Sequence, residues 1–306
     1  MRARGLYERV LVIFPGALGD LLCFAPALTM LSRRHHGAAL ELMAREELAR
    51  FAVSRLGVTR GHSIDRREVA ALFSTSAAVS GARGFFGAFA QIYSFFASSD
   101  DAYRAALMRA AQRPVSFHPF RPADSGHIAE CYLRALGEVP QLPLSANLHL
   151  RPTDFEMAHR TLEGFALKPR NFLLLAPGSG SPRKNWPAEN SILLARRLAV
   201  RVMPVFLLGP AEKQQAEKFI DSGIVTLTGR ELGEAAALAS LSRGFIGNDS
   251  GISHLAAAAG APGVVLFGPT DPRRWCPLGK VEVLRRDPLE SLSICEVLAA
   301  IERSLR

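Results

Sequence analysis

Val10-Leu-Val-Ile-Phe14 is an apolar run without alternation, which predicts a strand buried on both faces. The polar turn Pro15-Gly-Ala-Leu-Gly-Asp20 separates it from a helical stretch, Leu21 to His35, in which Pro26 marks a kink or an early-turn position. Leu40 to Met43 predicts a second strand and Ala44 to Leu56 a second helix. From Gly61 to Gln112 the pattern loosens, and the aromatic-rich stretch Gly84 to Phe96 reads either as core or as the floor of a cleft that accepts lipid or sugar. Ser98-Ser-Asp-Asp101 resembles a divalent-metal site only loosely and better suits the N-cap of a helix over Ala102–Ala111. Ser125 to Leu136 shows apolar spacings of three and four, as a helix requires. Glu138 to Pro152, with three prolines, predicts a linker between domains 1–150 and 151–306.

The second half alternates more cleanly. Strands are expected over Asn171–Ala176, Val202–Leu208, Ile224–Leu227, Phe245–Gly247, Val264–Phe267 and Val281–Leu284. Helices are expected over Ala188–Val200, after Glu212, over Leu232–Ser242, from the 248–251 turn to Gly260, and over Glu290–Leu305. Strands alternating with helices imply a doubly wound parallel sheet. The expected fold is therefore α/β, with two Rossmann-like domains facing a central cleft.

The polar turns carry the chemistry. In an open parallel sheet they lie at the carboxyl ends of the strands, where ligands bind. Turns 177–187, 209–212 and 247–251 offer Ser179, Ser181, Lys184, Glu212, Asp249, Ser250, Gly251 and His254, and Gly268-Pro-Thr-Asp-Pro272 emerges on the same edge. The Asn-Asp-Ser-Gly turn suits a phosphate, because a helix N-terminus presents free N–H groups and about half a positive charge. Its plainer role is that Asp249 or Ser250 caps the helix. Lys184, one of five lysines in the chain, suits a diphosphate charge or a solvated surface. Glu212 reads as a ribose acceptor or a helix-start carboxylate, and His254 as a phosphate donor or a partly buried structural histidine. Asp20, on the first strand–helix turn, is a helix cap or a general base.

Composition narrows the classes. The 306 residues are 48% hydrophobic and 21% charged, which is a globular balance. The net charge of +9 is spread out, with 17 basic and 12 acidic side chains in residues 1–150 and 20 and 16 in the remainder. No run of like charge suggests a nucleic-acid tail, whereas a mildly basic surface fits a phosphorylated substrate or an anionic membrane face. Every basic residue of the first half is Arg, which suits phosphate contacts or reflects genomic composition. Four widely spaced cysteines imply thiols in a reducing compartment and no structural zinc. Pro15, Gly16, Gly19 and Asp20 interrupt the first apolar run too early for a signal peptide, and no run is long enough for a membrane span. Neither G-x-G-x-x-G nor G-x-x-x-x-G-K-[ST] is present, which argues against a nicotinamide dehydrogenase and a P-loop nucleotidase.

Four stretches together resemble the ADP-heptose:lipopolysaccharide heptosyltransferases, glycosyltransferase family 9 with the GT-B fold. They are Gly19-Asp-Leu-Leu-Cys-Phe-Ala-Pro-Ala-Leu28, Pro177-Gly-Ser-Gly-Ser-Pro-Arg-Lys-Asn-Trp-Pro187, Gly247-Asn-Asp-Ser-Gly-Ile-Ser-His-Leu-Ala256 and Phe267-Gly-Pro-Thr-Asp-Pro272. Residues 57–125 match nothing in the family. The resemblance implies inverting, metal-independent transfer of heptose from ADP-heptose to a lipopolysaccharide core or related glycan, with no cofactor. It casts Asp20 as catalytic base. Lys184, with Ser179 and Ser181, would hold the donor phosphates. Asp249, Ser250, Gly251 and His254 would complete the donor site, and Glu212 would contact the ribose. It also implies a first domain that binds the acceptor, a second that binds the nucleotide sugar, and a cytoplasmic enzyme working at the inner face of the inner membrane. The residues leave two alternatives open: a GT-B enzyme using another nucleotide sugar, and a non-catalytic nucleotide- or glycan-binding protein.

Overall fold

The structure is a computed structural model and describes residues 8–74, 76–209 and 216–305. It divides into two compact units, Met1–Asn147 and Leu148–Arg306.

The first unit runs β1 (Arg9–Ile13), α1 (Leu18–Arg34), β2 (Ala39–Ala44), α2 (Glu46–Ala52), β3 (Arg60–Ser63), α3 (Arg67–Ala71), α4 (Ser76–Phe86), β4 (Gln91–Ser94), α5 (Asp101–Ala111), β5 (Val115–Phe117) and α6 (Ile128–Ala135). Its sheet is wholly parallel, in the order β3-β2-β1-β4-β5. The winding reverses between β1 and β4, the point at which such sheets open a crevice beyond their carboxyl ends. Successive β1 side chains alternate between two covered faces. Leu11 and Ile13 pack with Phe86, Phe89, Ile92 and the buried side of α5. On the opposite face Phe14 stacks on Phe24 of α1 at 4.4 Å, and Phe24 meets Phe95 and Tyr132 edge-on at 4.8 and 5.1 Å. These rings seat the first turns of α1 on the sheet.

The aromatics of 84–96 thus belong mainly to the core, with Phe86, Phe89 and Phe95 fully enclosed. Asp100 caps α5 by accepting the Tyr103 N–H at 2.9 Å. Pro26 interrupts nothing, because α1 continues through it.

The second unit runs α7 (Pro152–Gly164), β6 (Phe172–Ala176), α8 (Ala188–Leu198), β7 (Met203–Leu208), α9 (Ala216–Ile220), β8 (Val225–Thr228), α10 (Leu232–Leu241), β9 (Gly244–Asn248), α11 (Gly251–Ala258), β10 (Gly263–Phe267), α12 (Pro272–Trp275), β11 (Val281–Arg285) and α13 (Ile294–Ser304). All neighbours are parallel, in the order β11-β10-β9-β6-β7-β8, with the reversal between β6 and β9. The core carries β6 and β7 side chains (Leu173, Leu175, Phe206) against α8 and α13 (Leu194, Val297, Ile301).

Two of the boundaries that differ from expectation have a clear local cause. The linker stops short of Pro152, which is the first residue of α7, a position that tolerates its missing N–H. That helix packs on α10 through Ala158, Leu162 and Thr161, whose hydroxyl donates to the buried Glu234 carboxylate at 2.6 Å. The last helix begins at Ile294 rather than Glu290. Ser293 and Glu296 exchange side-chain-to-backbone hydrogen bonds across its first turn, and this capping box sets the start.

Candidate functional site

In the second unit the reversal point is built by two adjacent residues at the tip of β9. Asn248 is buried. Its amide donates to the Pro177 carbonyl at 2.6 Å and its oxygen accepts the Trp186 N–H at 3.3 Å. One side chain therefore closes both ends of the turn after β6. Trp186 is itself anchored, with its indole N–H on the Leu292 carbonyl at 3.0 Å. Asp249, also buried, works in two directions. Its Oδ2 accepts from Lys184 Nζ at 2.8 Å and from the Thr270 hydroxyl at 2.6 Å. Lys184 comes from the β6 turn and Thr270 from the loop after β10, so the tips of three neighbouring strands are tied together.

The remaining residues divide by what their polar atoms already do. Ser179 is buried within its turn, its hydroxyl facing the Ser181 carbonyl at 2.8 Å and Asn185 Oδ1 at 2.7 Å while it accepts the Ser181 N–H at 3.3 Å. It shapes the loop that presents Lys184. Ser250 is the N-cap of α11 and accepts the Ser253 N–H at 3.4 Å, so the capping role is realised. The amides of Gly251 and Ile252, in the first turn of α11, have no acceptor within the helix by position. Lys184 and these amides present a set of N–H donors suited to a diphosphate. His254 is buried one turn into α11. Burial, and then the Asp249 charge, push the Cys276 thiol up, and none of the four cysteines forms a disulfide. Glu212 lies outside the described residues.

In the first unit Asp20 lies within the first turn of α1 rather than in the turn before it, because the helix already begins at Leu18. Its carboxylate accepts the Ala17 N–H at 3.1 Å and pairs with Arg121 Nη2 at 3.2 Å. Asp20 is buried and Arg121 half exposed, with the guanidinium over the Phe120 ring. The capping bond is therefore present, and the carboxylate still stands at the carboxyl end of β1, beside the reversal point. Sequence reading missed Arg121, Asn248 and Thr270 as site residues. Asn248 and Thr270 lie within the family-like stretches 247–256 and 267–272, whereas Arg121 lies in residues 57–125, which match nothing in the family.

A profile of glycosyltransferase family 9 (heptosyltransferase) matches residues 123–293, more than half of the chain. The chain belongs to that family. The match takes in Lys184, Asp249 and Thr270 and leaves out Asp20. The chain is 32% identical over 127 residues to lipooligosaccharide heptosyltransferase 2 of Haemophilus influenzae, a stretch covering 38% of this chain and 37% of that one. Among solved structures it is similar to the glycosyl transferase family 9 protein of Veillonella parvula, with a TM-score of 0.79, 18% identity and coverage of 98% and 97%. Against E. coli ADP-heptose lipopolysaccharide heptosyltransferase II the TM-score is 0.77, with 21% identity and coverage of 97% and 98%. The fold is GT-B, two parallel-sheet α/β units, as the sequence led one to expect.

Proposed function

We propose that this chain is an inverting, metal-independent glycosyltransferase that moves heptose from ADP-heptose to a lipopolysaccharide core or related glycan. The observation that carries the reading is the Lys184–Asp249 pair beside the first-turn amides of α11, a fixed set of N–H donors within the part of the chain that matches the family. The second unit would bind the nucleotide sugar and the first the acceptor. Inversion requires one displacement at the anomeric carbon. The acceptor oxygen forms the new bond, the bond to the diphosphate oxygen breaks with its electron pair leaving on ADP, and the acceptor proton passes to Asp20. A carboxylate is a weak base, so proton removal accompanies bond formation. Lys184 and the α11 N-terminus would meet the charge that develops on the diphosphate, an electrostatic role worth about 3–4 kcal/mol for a single donor. Ser181, Gly251 and His254 would contact the donor, and Glu212 its ribose, whereas Ser179 and Ser250 would serve by shaping the turns.

Among the described residues no helix is long and apolar enough to cross a membrane. A net charge of +9 suits work against an anionic surface, and we place the enzyme at the inner face of the inner membrane.

The test is calorimetric titration with ADP, UDP and GDP in EDTA, followed by transfer assays on wild type and Asp20→Ala. The expected result is binding of ADP in preference to the others, with transfer lost and ADP binding kept in Asp20→Ala. Preference for UDP or GDP would overturn the donor. Nucleotide binding without turnover on any glycan acceptor would make the protein a binder.

A further inference from the structure

Thr270 belongs to Gly268-Pro-Thr-Asp-Pro272, a stretch to which the reaction above assigns no part. Its hydroxyl donates to Asp249 Oδ2 at 2.6 Å, the same oxygen that receives Lys184 Nζ at 2.8 Å. The two donors come from opposite sides of β9, one from the β6 turn and one from the β10 loop. A carboxylate turns easily about its last torsion, which is broad and roughly two-fold. A short hydroxyl-to-carboxylate bond, strengthened by the charge, removes that freedom. The main chain of Asp249 is already fixed by its N–H on the Leu266 carbonyl at 3.0 Å, so Thr270 supplies the missing constraint on the side chain.

We infer that Thr270 is a positioning residue for the donor diphosphate, an inference that rests on reading the Lys184 turn as the diphosphate site. Thr270 acts through Asp249. With the carboxylate locked, one of the three ammonium protons of Lys184 is committed to Oδ2, and the direction of the other two is set. Without the hydroxyl, Asp249 rotates and Lys184, on its flexible four-carbon stem, loses its fixed point.

The experiment combines Thr270→Val, which keeps the shape and removes the hydroxyl, with Thr270→Ser, which keeps the hydroxyl. Each is made in the wild-type and the Lys184→Ala backgrounds. ADP is titrated to millimolar concentration, and affinity is read from the shift in melting temperature. About tenfold weaker binding is expected for Thr270→Val and near-wild-type binding for Thr270→Ser, with no further loss when Thr270→Val is added to Lys184→Ala. Non-additivity is the readout that a loop-holding role would not produce. An equal loss in both backgrounds would overturn the inference, because Thr270 would then act independently of Lys184. Unchanged binding in Thr270→Val would overturn it too. Wild type that binds none of ADP, UDP or GDP would overturn the diphosphate reading, and Thr270 with it, a result distinct from failure of the Thr270 variants alone.

Discussion

Lys184 and Asp249 are 65 positions apart in the chain, yet the ammonium and the carboxylate meet at 2.8 Å across the reversal point of the second sheet. Only the aspartate is buried. Removing the lysine leaves a carboxylate with little access to water and, among the described residues, Thr270 as its remaining side-chain donor.

Lys184→Ala is therefore expected to cost about 1–2 kcal/mol of stability, measured by urea unfolding, because a buried group loses a partner. Turnover should fall by about 10²–10³. Lys184→Arg should not restore it, since a planar guanidinium cannot place its donors where a compact ammonium does.

Asn248→Ala takes partners from the Pro177 carbonyl and the Trp186 N–H together. A loss of about 1–3 kcal/mol is expected in chemical denaturation. Asn248→Asp should be the worse substitution, because a carboxylate oxygen would then face the Pro177 carbonyl where an amide now donates.

Gly247 precedes these residues in β9, and a methyl group there would collide with Ser253 Oγ while lying 3.3 Å from the Ala176 Cβ. Ser253 cannot step aside freely, being fully buried with its hydroxyl on the Asn248 carbonyl at 2.6 Å. Gly247→Ala should destabilise by about 1–3 kcal/mol through overpacking. Adding Ser253→Ala, which deletes the colliding atom, should recover part of that loss. A strictly additive double mutant in thermal melts would refute the collision.

A pH effect is expected from the first unit, away from the reaction. Burial alone would raise the Glu41 carboxyl, but hydrogen bonds from His62 at 2.6 Å and Arg9 at 2.7 and 2.9 Å outweigh it and hold the group at about 2. A depressed folded-state value contributes stability above the unfolded value and loses it as pH falls. The contribution, about 3 kcal/mol, should thus be complete above pH ~5 and disappear between pH ~4.5 and ~2. Urea titrations of wild type and Glu41→Gln across that range should converge as pH falls. Parallel curves would show that Glu41 is not the group responsible.

The second unit was legible because β6, β7 and β10 are apolar runs and its turns are rich in Gly, Ser and Pro. Phe172–Ala176 and Gly263–Phe267 are buried along their whole length. In the first unit β3 reads Arg-Gly-His-Ser and β5 Val-Ser-Phe, short edge strands with little apolar signal. The helix α7 was hidden for another reason, since only Ala158 and Leu162 of its buried residues are apolar, and Thr161 joins its neighbour by a hydroxyl-to-carboxylate bond. Within the site, pattern and resemblance pointed to charged and small polar residues on the turns, Asp20, Lys184, Glu212 and Asp249 with Ser179, Ser181, Ser250, Gly251 and His254. Asn248 and Thr270 escaped because their importance is relational: each matters for the backbone or side chain it grips on a different turn. Arg121 is 101 positions from Asp20, in a stretch without periodicity, and only folding brings the two together.

The turn from Pro177 to Pro187 is gripped at both ends by Asn248, laced internally through Ser179 and Asn185, and anchored by the Trp186 indole. Fixing a free loop costs about 1–2 kcal/mol per residue in lost backbone freedom. Here the loss is incurred when the unit folds, so a ligand bound at Lys184, as proposed, would have little of this turn left to order. Its arrival rate should follow simple encounter, with no slow rearrangement of this turn before or after. Differences in affinity among nucleotides would then appear almost entirely in how long each one stays.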